Sequence, residues 1–291
     1  MKVPEHTETA LKSILERRLP DGGFCEQPGG DYRADATAWA AFCLNSLNLA
    51  PEVVSSAREK LCKTQLPDGN IPLTPVYPEA YWTTAIASLA LAGTNVFSSN
   101  HEKTIIFLLN SKGEIVEKGP DSPIGHDTTI QGWSWIANTH SWAEPTAMAI
   151  RALYTAGKSQ HQRVIKGVQL LLDRQLPNGG WNYGSTNVYA KTLNAMPAPS
   201  GIALWVLVGL TAREKVEHSL KYLLEQLPRL RTPSSLGWTI LGLRAWGLEV
   251  PESDELISAS LHQQGRYSLY GTSQLCVLLT AGTYKPHGFC L

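Results

Sequence analysis

One phrase recurs along the chain and limits its fold more than any other feature. Leu19-Pro20-Asp21-Gly22-Gly23-Phe24 returns as Leu66-Pro67-Asp68-Gly69-Asn70 and again as Leu176-Pro177-Asn178-Gly179-Gly180-Trp181. Pro followed by Asp or Asn and then Gly is turn chemistry: Pro presets φ, and Gly accepts positive φ. Each copy follows a polar segment carrying Lys, Arg and Glu. Each precedes, after a loop, a segment of small apolar residues. Recurrence of one supersecondary unit is the signature of a repeat architecture.

Six such pairs can be read. The first members are Thr7–Arg18, Pro51–Gln65, His101–Asn110, Gln160–Gln175, Ala212–Leu227 and Ser253–Gln263. Their apolar residues fall at helical spacing, as in Val164, Val168, Leu171 and Leu172, with charges on the other face. The second members are Asp35–Leu47, Thr83–Ala92, Glu144–Ala156, Ser200–Leu210, Ser235–Trp246 and Thr272–Ala281. These are Ala/Gly/Leu helices with almost no charge, and a helix apolar all round is buried all round. The alternation predicts an all-α (α/α)6 barrel, or toroid, with buried helices inside and amphipathic ones outside. A linear solenoid of helix pairs is the competing architecture. No linker divides residues 1–291, which read as one domain. The longest loops, Gly113–Trp142 and Asn182–Pro199, are where a barrel of this kind carries function.

Composition narrows the function. Lys plus Arg and Asp plus Glu are both 25, a formal net charge of zero that argues against a nucleic-acid partner. No apolar run approaches the roughly 18 residues of a membrane span. The N-terminus, Met1-Lys2-Val3-Pro4-Glu5-His6, has no secretory apolar core, so a cytoplasmic location is expected. The five cysteines form no CxxC pair, which leaves neither a disulfide framework nor a zinc ribbon.

Within the third turn phrase, the run Lys166 to Trp181 resembles the QW motif of squalene–hopene and oxidosqualene cyclases. A basic residue and Gly (Lys166-Gly167) are followed by Gln175-x-x-x-Gly179-x-Trp181; Leu170 stands in the aromatic slot. Degenerate copies are Arg18-x-x-x-Gly22-x-Phe24 and Gln65-x-x-x-Gly69-x-Ile71. The chain thus resembles the terpenoid cyclase/protein prenyltransferase superfamily, also described by its prenyltransferase/squalene oxidase repeat, as a stand-alone barrel. The resemblance implies a structural role for Gln175 and Trp181: the Gln bonds backbone at the neighbouring outer helix, and the Trp stacks against it.

The same resemblance directs attention to acids at inner-helix starts. Class II terpene cyclases carry Asp-x-Asp-Asp-Thr-Ala there, with the protonating Asp two residues before the Thr. Asp35 before Thr37, and Glu144 before Thr146, occupy that slot, without the flanking aspartates. Helix capping is the alternative reading of both. His140 is the expected partner of Glu144, able to shift its pKa. Aromatic residues at inner-helix starts and adjacent loops, Trp39, Tyr81, Trp82, Trp133, Trp142, Tyr183 and Trp238, would line a pocket for an apolar isoprenoid and face its carbocations. Core packing is the other account of them.

No metal site and no cofactor are expected. Asp-x-Cys for a prenyltransferase zinc, Cys-His-Gly for a lanthionine cyclase and Asp-Asp-x-x-Asp for diphosphate ionisation are all absent, and His287-Gly288-Phe289-Cys290 is only an echo of the second. Three readings stay open. The first is a squalene-cyclase-like protein that binds an isoprenoid and uses a rim carboxylate as general acid. The second is a non-catalytic barrel for a lipid, peptide or protein partner. The third is a carbohydrate-active barrel with paired carboxylates drawn from Asp31, Asp35, Glu79 and Glu144. Peripheral contact with a membrane stays open beside all three.

Overall fold

The structure is a computed structural model that describes residues 5–119, 122–266 and 268–284. The first four residues of the polar N-terminus and the 287–290 echo lie outside the described residues. Twelve α-helices carry nearly all the regular structure among them. The outer helices are α1 (Glu5–Leu15), α3 (Pro51–Lys63), α5 (Ser98–Asn110), α7 (Gln162–Asp173), α9 (Glu217–Gln226) and α11 (Ser253–His262). The inner helices are α2 (Ala34–Ser46), α4 (Thr83–Leu91), α6 (Ala143–Thr155), α8 (Pro197–Leu207), α10 (Pro233–Ala245) and α12 (Thr272–Thr283).

Each inner helix packs on the next around the ring, and α12 returns to pack on α2. That last contact makes the architecture an (α/α)6 barrel and not a linear solenoid. Hydrogen bonds seal the seam: Thr272 Oγ1 donates to the Cys25 carbonyl at 2.6 Å, and Ser273 Oγ donates to the Glu26 carboxylate at 3.0 Å. The inner helices can close a ring because they are built from small residues. Every residue of α4 is buried. Where α8 meets α10, a Cβ on Gly242 would stand 2.8 Å from the Gly201 carbonyl oxygen, so only Gly allows that approach.

The recurring turn phrase has one physical task. Gly22, Gly69 and Gly179 have φ of +89, +98 and +87°. Each is pressed against the backbone of the next outer helix, at Ser56, Lys103 and His218. In each turn the Gly N–H donates to the carbonyl of the opening Leu, at 3.0, 3.0 and 2.8 Å. The residue that follows the turn is then fixed from inside. The backbone N–H groups of Phe24, Ile71, Trp133 and Trp181 donate to Thr37, Thr84, Thr146 and Ser200 hydroxyls at 2.9, 3.0, 2.9 and 2.8 Å. These hydroxyls sit near inner-helix starts and satisfy backbone groups that no helix or sheet ladder reaches.

Gln175 does tie neighbouring outer helices together, but through a side chain: its Nε2 donates to Ser219 Oγ on α9 at 2.7 Å. Trp181 is fully buried and donates Nε1–H to the Leu171 carbonyl on α7 at 2.6 Å. The outer segment expected from Ala212 opens as a 3-10 turn over Arg213–Lys215 before α9 begins. The loop after Trp181 holds a short hairpin, β1 (Asn187–Val188) with β2 (Lys191–Thr192). Its turn residues Tyr189 and Ala190 take φ of 50 and 59°, so the usual Gly or Asn signal is missing from the sequence.

Candidate functional site

The loops that follow the outer helices collect at the rim where the inner helices start. The segment between Trp133 and Trp142 lies across the start of α4. Tyr81 and Trp82 N–H groups both donate to the Trp135 carbonyl, at 3.0 and 3.3 Å, and the Ala137 N–H donates to the Glu79 carbonyl at 2.9 Å. This anchoring sets Trp135 edge-on to Trp82, with ring centroids 5.4 Å apart.

Glu144, in the first turn of α6, faces the cavity these residues make. Its walls are Trp39 from α2, Trp82 and Ile86 from α4, Trp135 from the rim segment, and Pro145 and Met148 from α6. The cavity volume is about 30 Å³, far below the roughly 300–1,000 Å³ of pockets for drug-sized ligands. Part of the Glu144 surface remains accessible, yet protein surrounds it as densely as a core group. Desolvation therefore governs the carboxyl and pushes its pKa up from 4.5 to about 7. The position in a first helical turn favours the ionised form, and burial outweighs it.

Deeper in, the lumen is filled. Trp39 meets Trp238 edge-on at 5.6 Å, and Trp238 meets Trp205 at 5.6 Å. The buried guanidinium of Arg151 lies 4.8 Å over the Trp205 ring. The aromatic residues beneath Glu144 thus pack on one another.

The other acid is placed differently. Asp35 is buried, and both its oxygens accept from Arg33: Oδ1 from Nε at 2.9 Å and Oδ2 from Nη2 at 2.6 Å. It belongs to a charged cluster with Glu26, whose carboxyl is pushed up by burial and then by the Asp35 charge. The bidentate pairing occupies the carboxylate. Among the described residues neither Asp35 nor any second carboxylate lines the Glu144 cavity.

His140 is not the partner of Glu144. It lies beside Trp142, ring centroids 4.7 Å apart, in a separate cleft of about 130 Å³. The shift of Glu144 comes from burial, with no charged neighbour contributing to it. The expectation fails because Trp142 caps α6 in an extended conformation, with φ −123° and ψ 158°. Even spacing would align 140, 142 and 144 on one face of a strand, but helical geometry begins at Ala143, so Glu144 turns away from the side that His140 and Trp142 share.

Of the expected pocket aromatics, Trp39 and Trp82 line the Glu144 cavity, and Trp238 stands behind Trp39. Trp133 is buried and donates Nε1–H to the Leu108 carbonyl at 2.8 Å. Tyr81 packs edge-on against Phe107 at 4.9 Å. Tyr183 is exposed, and its carbonyl accepts from the Ala143 N–H at 3.0 Å. Trp135, Ile86 and Met148 complete the wall without having been singled out for it. A regular extended run would put Trp133 and Trp135 on one face; the chain bends at Trp135, which turns its ring to the cavity while Trp133 stays in the core.

No protein-family model matches this sequence, and no curated protein matches it. Solved structures do match in fold. The type II terpene cyclase MstE from Scytonema, in complex with merosterolic acid A, its product, superposes with a TM-score of 0.60 at 15% identity, covering 98% of this chain and 97% of that one. The same cyclase with geranylgeranyl dihydroxybenzoate, its substrate, gives 0.58 at 18% identity over 89% and 78%. The α-1,6-mannanase GH76A of Salegentibacter gives 0.63 at 12% identity over 95% and 97%. These likenesses establish a terpene-cyclase-like helical barrel fold shared with a glycosidase. Among the described residues no helix is long and apolar enough to cross a membrane.

Proposed function

We propose that residues 1–291 form one toroid domain that binds an isoprenoid-type ligand at the barrel rim, with Glu144 as a general acid. The observation that carries this is a carboxyl group with a pKa of about 7 in a wall of Trp39, Trp82 and Trp135. About half of it holds a proton at neutral pH, the condition for general acid catalysis near the working pH. Indole faces suit both a prenyl chain and positive charge that develops on it.

An acid of this strength suits a basic atom better than a bare alkene. The reading therefore favours a prenyl chain ending in oxygen, such as an epoxide. The Glu144 proton passes to that oxygen, the C–O bond breaks as a neighbouring alkene bonds to the carbon, the resulting cation loses a proton to water at the rim, and Glu144 regains its proton from solvent. The small volume under Glu144 supports a reading in which this event occurs at the mouth of the barrel. Likeness to a cyclase solved with its substrate and product supports the choice of ligand class.

A second reading, a non-catalytic barrel, is favoured by the filled lumen of Trp39, Trp205 and Trp238. Residues assigned to the acid and the wall are the same in either case; only turnover differs. The carbohydrate reading has less support, because Glu144 has no carboxylate across the cavity to form a pair. Tryptophan fluorescence tests binding directly. Oxidosqualene or farnesol should quench emission saturably, and Trp82→Phe with Trp135→Phe should remove most of the response. Saturable quenching by a mannooligosaccharide and none by isoprenoids would overturn the ligand class.

A further inference from the structure

Residues 113–119 and 122–132 are joined at their base and border a second cleft. The Gly113 N–H donates to the Gly132 carbonyl at 3.1 Å, and the Gly132 N–H donates to Ser141 Oγ at 2.8 Å. At its far side the loop is fixed by Arg174 at the end of α7: Nη1 donates to the Asp127 carbonyl at 2.9 Å and pairs with Asp173. The Asp127 N–H donates to the Asp173 carboxylate at 3.1 Å and completes the anchor. The space of about 130 Å³ beneath is larger than the Glu144 cavity.

Its lining divides into an apolar part and a polar part. Val116, Ile124 and Trp142 form the apolar surface, while His126, His140 and Arg174 supply donors. The Arg174 side chain is only 4% exposed and is paired with Asp173, while its Nε is buried with no hydrogen-bond partner among the described residues. Burial is the largest cause that holds the His126 imidazole down at about 4, followed by Arg174 at the end of α7, Lys118 on the loop and His140 on the rim segment; among the described residues Asp127 opposes them. Glu114 is exposed at the cleft's edge and is not among the charges acting on His126. The cleft is thus a partly enclosed space with an apolar floor, where Arg174 Nε and His126 Nδ1 are buried without partners among the described residues, a setting in which charge-assisted bonds from Arg174 to an anion are strong.

We infer that this cleft binds a small oxyanion, a carboxylate or phosphate, held by Arg174 and the two histidines with its apolar body on Trp142. The site is separate from the Glu144 cavity and does not rest on the isoprenoid reading. Free anions and an anion carried on a prenyl chain share this chemistry.

The test is a titration of the full chain, followed by NMR of the His126 imidazole and the Trp142 indole. The probes are inorganic phosphate, benzoate, farnesyl phosphate and uncharged farnesol, with chloride at matched ionic strength as the control. Saturable shifts with phosphate or benzoate identify a free-anion site. Saturation with farnesyl phosphate alone, with farnesol silent, identifies an anion carried on a chain. In either case the His126 pKa rises on binding, and Arg174→Gln weakens binding at least tenfold. Because Arg174 also anchors the loop, Ser185→Glu serves as the second variant. It places a negative charge at the cleft wall, leaves the Asp127 and Asp173 contacts in place, and should abolish binding with an unchanged melting temperature. The inference is overturned if no anion gives a saturable shift, if chloride gives the same shift, or if Ser185→Glu binds as well as the parent.

Discussion

Glu144 and His140 lie a few positions apart in sequence but face different cavities. The carboxyl stands among Trp39, Trp82 and Trp135, and the imidazole stands against Trp142 in the cleft bordered by residues 113–119 and 122–132. The separation leaves Glu144 with burial as the sole cause of its raised pKa. It also gives the rim two chemically distinct recesses, one aromatic with a carboxyl, one lined by Arg174 and two histidines.

The raised carboxyl pKa makes stability depend on pH in a defined direction. Between 4.5 and about 7 the folded state holds a proton that the unfolded state has released. Stability from this group is therefore complete below the lower value and is lost as pH rises through the upper one. The span amounts to roughly 3 kcal/mol. Glu144→Gln should flatten this slope and unfold at higher denaturant than the parent at pH 8. Urea titrations at several pH values check it.

His126 acts in the opposite sense. Its folded pKa of about 4 lies below the ordinary 6.5, so the unfolded chain binds the proton first as pH falls. Stability from this group is complete above 6.5 and is lost towards 4. With the ring half-buried and partly screened, the loss should be no more than ~2 kcal/mol. In the Glu144→Gln background, His126→Phe should reduce the remaining loss below pH 6.5.

The turn glycines should differ sharply from glycines that merely end helices. Gly69→Ala forces a Cβ onto the Lys103 backbone at φ +98°. Left-handed strain of ~1–2 kcal/mol and overpacking of ~1–3 kcal/mol should add. Gly157→Ala, at φ +72° with nothing within 4 Å of the new Cβ, should carry the strain alone. Chemical denaturation of the two variants side by side measures the difference.

Thr146 holds the Trp133 N–H from within the core at 2.9 Å. Thr146→Val keeps the shape and leaves that buried donor without its acceptor, at ~1–3 kcal/mol. Thr146→Ser should recover most of the loss, which calorimetry on the pair can read.

The barrel was legible in the sequence because its two layers differ in composition. Uncharged runs such as Thr83–Leu91 and charged amphipathic ones such as Gln162–Asp173 mark inside and outside without reference to tertiary contacts. The turn phrase was legible because positive φ beside a neighbouring backbone admits only Gly. The site was harder to read. Asp35 and Glu144 occupy the same place relative to a Thr, and only the fold distinguishes them: Arg33 occupies one, and indoles desolvate the other. The cleft bordered by residues 113–119 and 122–132 arises from contacts between Asp127, Asp173 and Arg174, which no local periodicity encodes.

The central claim is that Glu144 donates a proton to a ligand held by the rim indoles. Incubation of the purified protein with oxidosqualene, squalene and geranylgeranyl diphosphate, with product analysis by mass spectrometry beside Glu144→Gln, tests it most directly. The account predicts a cyclised product from the oxygen-bearing chain, absent with Glu144→Gln although that variant is folded and still binds. Product formed equally by the variant would contradict the role of Glu144, and the absence of product from every substrate by the folded parent would leave the barrel a binding protein.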